Sequence, residues 1–206
     1  YLKVATQVDH WDYAKNPQFL LFVNGQMTQG MDLNHQTVML EKCAKEGETY
    51  TIDLQGYTGV MFAELTFTME AVEVDEKINE IYYDIVVPLQ GFSRMQEDDK
   101  VRKDLRTILN NTINLLDLRT PYSDSFYQSI EEAHNYIQKA LYEDMSGYED
   151  VIASCIGHTH IDVAWLWTVA QTREKVARSF STVLKYMEEY PEYKFMSSQP
   201  ALYQFL

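Results

Sequence analysis

The sequence predicts an α+β chain that passes into α/β. An N-terminal antiparallel β domain spans residues 1–74, a helical linker region spans 75–150, and residues 151–206 form the first βαβ unit of an incomplete parallel α/β domain. Three observations carry this reading. Residues 1–74 alternate apolar and polar side chains between glycine-marked turns. Residues 75–150 show apolar stripes at three- and four-residue steps. Residues 151–157 form an almost continuous apolar run followed by a helix-period stripe and a second extended run.

Each element has a local reason. Phe19 to Val23 is a short apolar run that meets the turn dipeptide Asn24-Gly25. Gly30 and Asn34 read as further turns. Thr49 to Leu54 puts Tyr50, Ile52 and Leu54 on one face, and Val60 to Met69 gives another such stretch. Gly47, Gly56 and Gly59 fall between these runs, where turns need positive φ. The expected outcome is a small antiparallel sheet belonging to a sandwich, with the domain itself cut short.

Asp75 to Leu89 is apolar, but its Ile, Tyr and Val content leaves helix and strand open as far as Pro88. Leu105, Ile108, Leu109, Thr112, Ile113 and Leu116 share one helix face, and Thr120-Pro121 is expected to end that helix. Ser125 and Gln128 have capping-box spacing ahead of a second stripe, Phe126, Ile130, Ala133, Ile137 and Leu141, which Ser146-Gly147 stops. Two helices with a short link predict an αα-hairpin.

Val151 to Gly157 reads as a strand buried on both faces. Thr168 and Gln171 form a capping box for a helix whose buried face is Val169, Val176, Phe180, Val183, Leu184 and Met187. Tyr190-Pro191 ends it, Tyr193 to Ser198 is the second strand, and Pro200 sits at a helix N1. Two strands do not complete a parallel sheet. The chain also starts at Tyr1 without Met, so it is expected to be a piece of a larger enzyme.

Composition narrows the function. The 206 residues are 46% apolar and 23% charged, with a net charge of −14. An acidic surface argues against nucleic acid and against a membrane surface as partners. A homo-oligomer is compatible with it. Cys43 and Cys155 are too few for a disulfide framework, which points to a reducing, cytoplasmic compartment. No apolar run approaches the ~20 residues of a membrane helix. Charge is uneven. Basic and acidic residues number 4 and 10 in residues 1–74, 8 and 16 in 75–150, and 5 and 5 in 151–206. The neutral last segment holds the chemistry.

That chemistry is Gly157-His158-Thr159-His160-Ile161-Asp162. Side chains two apart on extended backbone point the same way, so His158, His160 and Asp162 can converge at the end of the predicted strand. Imidazole nitrogen with carboxylate oxygen is a zinc donor set. The alternative is a pair of hydrogen-bonded histidines with Asp162 as their acceptor or as a loop cap. His158 fits a supporting position behind the ligands better than a ligand. Trp165 and Trp167 follow. Beside a polar site an indole can stack on the C–H face of a sugar; we assign stacking to Trp165 and packing to Trp167. Arg173 and Glu174 read as an exposed face with Lys175 and Arg178 nearby. His10 falls in an irregular stretch, His35 reads as a turn residue, His134 as a satisfied core histidine, and Cys155 as an apolar filler.

The run His158-Thr159-His160-Ile161-Asp162-Val163-Ala164-Trp165-Leu166-Trp167, with Arg173-Glu174 and Phe195-Met196-Ser197-Ser198-Gln199, resembles the start of the catalytic domain of glycoside hydrolase family 38, the class II α-mannosidases. The likeness is greatest to the cytosolic and bacterial branch. Phe22-Val23-Asn24-Gly25 and Gly30-Met31-Asp32-Leu33-Asn34-His35 are similar to that branch's N-terminal β domain. The resemblance implies a retaining exo-α-mannosidase with one zinc ion, acting on terminal α-mannose of glycans. His160 and Asp162 would be zinc ligands and Trp165 would stack on mannose. The nucleophile, the acid/base and two further ligands would come from downstream of Leu206, so the isolated chain is expected to be inactive. A metal-dependent amidohydrolase also carries His-x-His after a strand, but without the Trp-Leu-Trp continuation. A carbohydrate-binding module accounts for residues 1–74 alone and leaves the His/Asp cluster unexplained.

Overall fold

In the computed structural model, which describes residues 1–7, 18–57, 66–145 and 153–206, contacts divide the chain into two units. One comprises Tyr1–Glu73 with Ala153–Leu206, and the other Val74–Ile152.

The first unit contains two three-stranded antiparallel sheets. One has the order β4-β1-β6, formed by Thr37–Val38, Leu2–Gln7 and Thr66–Ala71; the other has the order β3-β2-β5, formed by Gln26–Met31, Gln18–Val23 and Ile52–Tyr57. Their inward side chains, Leu2, Val4 and Val38 from one sheet and Leu21 and Met31 from the other, make one buried cluster. One small antiparallel sheet within a sandwich was expected; the described residues form two, which share this cluster. Asn24 and Gly25 turn β2 into β3 with φ of 52° and 77°, the two left-handed positions that a tight hairpin requires. Gly47 is also left-handed, at 87°. The expected strand from Val60 begins at Thr66 among the described residues; Gly59 and residues 60–65 lie outside them.

Gly30 is not a turn. It lies inside β3, where helix α4 (Val169–Glu189) crosses the sheet. A Cβ at Gly30 would lie 2.7 Å from the Arg178 carbonyl oxygen. The Gly30 amide donates to Thr182 Oγ1 at 3.0 Å. The missing side chain thus lets a helix approach a strand closely, a requirement set by a residue 152 positions away. Gly56 is likewise in a strand, β5, under the Phe19 ring.

α4 starts with the expected capping box. Thr168 Oγ1 accepts from the Gln171 amide at 3.3 Å, and the Thr168 amide donates to Gln171 Oε1 at 2.8 Å. It ends at Tyr190, and a short helix α5 (Pro200–Tyr203) begins on Pro200. Val176 and Phe180 of α4 pack with Ile161 and Leu202. The apolar run before the motif departs from expectation. Val151 and Ile152 lie outside the described residues, and Ala153 to Ile156 are exposed and form no strand. Cys155 is exposed rather than buried filler. Among the described residues only the end of the predicted parallel pairing is formed. Gly157 bridges Phe195 in parallel, with the Gly157 amide on the Lys194 carbonyl at 2.8 Å and the Met196 amide on the Gly157 carbonyl at 3.0 Å.

The second unit is helical. α1 (Glu76–Phe92), α2 (Lys100–Leu115) and α3 (Asp124–Ile137) surround Ile81, Leu105, Ile108, Leu109, Phe126, Ile130, Ala133 and Ile137. The hairpin α2–α3 is joined by a third helix where the sequence left Asp75 to Leu89 open, and α1 continues through Pro88. Asp75 caps α1 by accepting from the Ile78 amide at 3.1 Å. α2 ends at Leu115, before Thr120-Pro121, because the next turn is captured otherwise. The Asp117 amide donates to Ser129 Oγ at 2.9 Å, and Arg119 forks onto Asp117 at 2.8 and 2.7 Å. That fork holds the Asp117 carboxyl down at about 2. Ser123, not Ser125, caps α3. A π-helical turn, Gln138–Glu143, follows α3, and Ser146-Gly147 lies outside the described residues. His134 is satisfied, as expected, by Asp84 Oδ2 at 2.8 Å.

Candidate functional site

The segment after the Gly157 bridge forms neither helix nor strand, and its side chains alternate in burial, with His158 and His160 exposed and Ile161 buried. Ile161, buried, packs into the cluster under α4, which turns His160 and Asp162 outward. His160 Nε2 lies 3.0 Å from Asp162 Oδ1, with the two side chains 69% and 46% exposed. With the proton on Nε2 the imidazole donates to the carboxylate. Neighbouring corners of a tetrahedral site stand roughly 3.3–3.6 Å apart for bonds of about 2.0–2.2 Å, so this pair would open by a few tenths of an ångström to hold an ion. The donor types and spacing therefore fit half of a zinc site. Among the described residues no group of three or more His, Cys, Asp or Glu is arranged to hold a metal ion.

His158 does not join this pair. Its Nε2 lies 3.3 Å from Ser198 Oγ, across the bridge from the chain at Phe195. Gly157, just before it, is required. A Cβ there would enter the van der Waals envelope of the Tyr193 ring and hydroxyl. Trp165 is 68% exposed and meets Trp167 edge to face, with ring centroids 5.7 Å apart. Trp167 is partly buried, and its indole N–H donates to Thr172 Oγ1 at 3.1 Å. Lys175 Nζ sits 4.3 Å above the Trp167 ring. Arg173 lies over Phe205 at 5.3 Å.

A cleft of about 400 Å³ adjoins the pair. His158 and His160 line it from one side, Lys175 and Arg178 from α4, and Asp32 and His35 from the turn after β3. Asp162 and Trp165 lie outside its lining. The sequence marked His35 as a turn residue, and it is one: Asp32 Oδ1 accepts from the Asn34 amide at 2.8 Å and from the His35 amide and Nδ1 at 2.9 Å each. The bond to Asp32 raises the His35 imidazole above its ordinary value despite burial. Burial pushes the Asp32 carboxyl up, but the His35 ring and the two amides outweigh it and leave the group lowered. Burial, and Arg178 beside it, push the Lys175 ammonium down.

Sequence reasoning did not single out Ser198, Thr172 or the Asp32 carboxylate. Thr172 had a visible signal, because a hydroxyl stands between Val169 and Val176 in the apolar stripe of α4. His10 and Trp11 lie outside the described residues.

Comparison with known proteins falls on the same segment. Residues 150–206 match the glycosyl hydrolases family 38 N-terminal domain. The chain is similar to alpha-mannosidase G of Dictyostelium discoideum, 26% identical over 216 residues that cover 95% of this chain and 19% of that protein. It is 38% identical to an alpha-mannosidase of Saccharomyces cerevisiae over 91 residues, 43% of this chain and 7% of the relative. It is 54% identical to human alpha-mannosidase 2C1 over 43 residues, 21% of this chain and 4% of the relative. The chain thus spans about one-fifth or less of the length of these relatives.

Proposed function

We propose, from the match of residues 150–206 to the glycosyl hydrolases family 38 N-terminal domain, that the protein containing this chain is a zinc-dependent retaining exo-α-mannosidase. Its substrate class is terminal α-mannose on glycans, and its compartment the cytoplasm. The relatives named as alpha-mannosidases support the substrate. One observation carries the site: an imidazole nitrogen and a carboxylate oxygen 3.0 Å apart, both open to solvent, with the exposed indole of Trp165 three residues along the chain.

In this reading His160 and Asp162 would hold zinc, and Trp165 would offer its face to the C–H side of the mannose ring. When bound, such an ion supplies Lewis-acid charge that favours vicinal sugar hydroxyls. His158, tethered to Ser198, flanks the pair without joining it. The bridge between Gly157 and Phe195 would be the first rung of a parallel sheet, with α4 as its crossover. A retaining glycosidase needs two carboxylates about 5–5.5 Å apart across the scissile bond. We assign that pair, and the remaining metal ligands, to parts of the protein beyond this chain.

Hydrolysis of an aryl α-mannoside tests both halves of the proposal. The full-length protein should release the aryl alcohol and lose activity to a chelator, while the 206-residue chain at equal concentration should be silent. No hydrolysis by the zinc-supplemented full-length protein would overturn the activity, and turnover by the 206-residue chain would overturn the assignment of the nucleophile elsewhere.

A further inference from the structure

Thr172 is fully buried one turn into α4, at 0% exposure, and its hydroxyl is used on both sides. A hydroxyl carries one proton and two acceptor lone pairs. Thr172 Oγ1 donates to the Val163 carbonyl, and it accepts from the Trp167 indole N–H at 3.1 Å. The Thr168 carbonyl, 3.2 Å away, is a second acceptor for the same proton. Val163 directly follows Asp162, and Trp167 supports Trp165 edge to face. Between these points the chain forms neither helix nor strand, and its backbone closes in the Trp165 amide on the Trp167 carbonyl at 3.3 Å.

We propose that Thr172 is the positioning residue of this site: one buried oxygen pins both ends of the loop from Val163 to Trp167 and so sets where Asp162 and Trp165 stand. The purpose of that loop, metal ligation and sugar stacking, rests on the function proposed above; the tether itself does not. Replacing the hydroxyl by a methyl leaves a part-buried carbonyl and a part-buried indole N–H without this partner, whereas serine keeps the oxygen. Valine and threonine have similar shapes and helix propensities, so Thr172→Val isolates the polar atom.

The experiment compares Thr172→Val and Thr172→Ser with wild type in the full-length protein. Hydrogen exchange of the metal-free protein, read by mass spectrometry on peptides covering residues 161–168, should speed by about tenfold in Thr172→Val and stay within about threefold of wild type in Thr172→Ser. Peptides from the second half of α4 should not change, which shows that the valine variant is folded. Zinc content after dialysis and KM for an aryl α-mannoside should then worsen in the valine variant, with kcat less affected, and the serine variant should recover both. Unchanged loop exchange in Thr172→Val would overturn the tether. Faster exchange with zinc content and KM both unaltered would overturn the positioning role. Faster exchange in a protein whose wild type binds no zinc and hydrolyses no α-mannoside would leave the tether standing and remove the proposed function instead.

Discussion

His35 shows how a single side chain can be read correctly in place and incompletely in chemistry. Leu33-Asn34-His35 marks a turn, and the chain turns there because Asp32 collects two amides and one imidazole. The carboxylate partner was not legible, since any Asp three residues away could face water instead. The pairing has a pH consequence. His35 is raised by Asp32, so its share of stability is complete below the ordinary value of 6.5 and fades as pH climbs through the raised value. Asp32 is lowered, so its share is complete above 3.8 and fades as pH falls through the lowered value. Both contributions therefore overlap between those two values. The pair is about one-third exposed, which limits it to below about 1 kcal/mol. Urea unfolding of wild type and His35→Gln should show a stability gap at pH 5.5 that narrows by pH 8.5; a gap that widens with pH would refute the assignment. At the same scale, His160 and Asp162 were legible as partners because two-residue spacing on extended backbone fixes their direction. Ser198 as the neighbour of His158 was not, because the bridge between Gly157 and Phe195 brings together two residues 40 apart in sequence.

At the scale of elements, features with local causes were legible and features with distant causes were not. Asn24-Gly25, the Thr168 capping box and the Pro200 helix start all follow from chemistry within four residues, and all are present. Gly30 read as a turn because glycine usually is one; its actual reason is the backbone of α4, invisible from the strand. The apolar run at 153–156 read as buried, yet its side chains are exposed, since hydrophobicity states a preference and not a partner. The Gly30 contact gives a direct test. In Gly30→Ala the new methyl meets a carbonyl oxygen that cannot rotate away, so the sheet and α4 must separate, at a cost of about 1–3 kcal/mol. Gly91→Ala, in α1 with open space around the position, should be neutral or slightly stabilising. Thermal unfolding of the two variants should place Gly30→Ala clearly below wild type; equal midpoints would mean that helix and strand do not touch as described.

At the scale of the whole molecule, acidic composition and charge distribution set the neutral last segment apart. That segment contains the His/Asp pair, the tryptophans and the family match. Among the described residues no helix is long and apolar enough to cross a membrane. The mixed α and β architecture was legible from periodicity and turn residues, although one small antiparallel sheet was expected where two are present and α1 was left open between helix and strand. The parallel unit was legible only as a direction of pairing, because among the described residues a single bridge stands where a sheet was expected. The family match falls on the motif, and the same motif defines what is left to test. The central claim is that His160 and Asp162 together hold a zinc ion in the full-length protein. Its direct measurement is metal content by mass spectrometry after exhaustive dialysis, for wild type, His160→Ala and Asp162→Ala. The account predicts one zinc per wild-type chain, falling below about one-tenth in each variant, as loss of an inner ligand requires. Full zinc occupancy in both variants would contradict it.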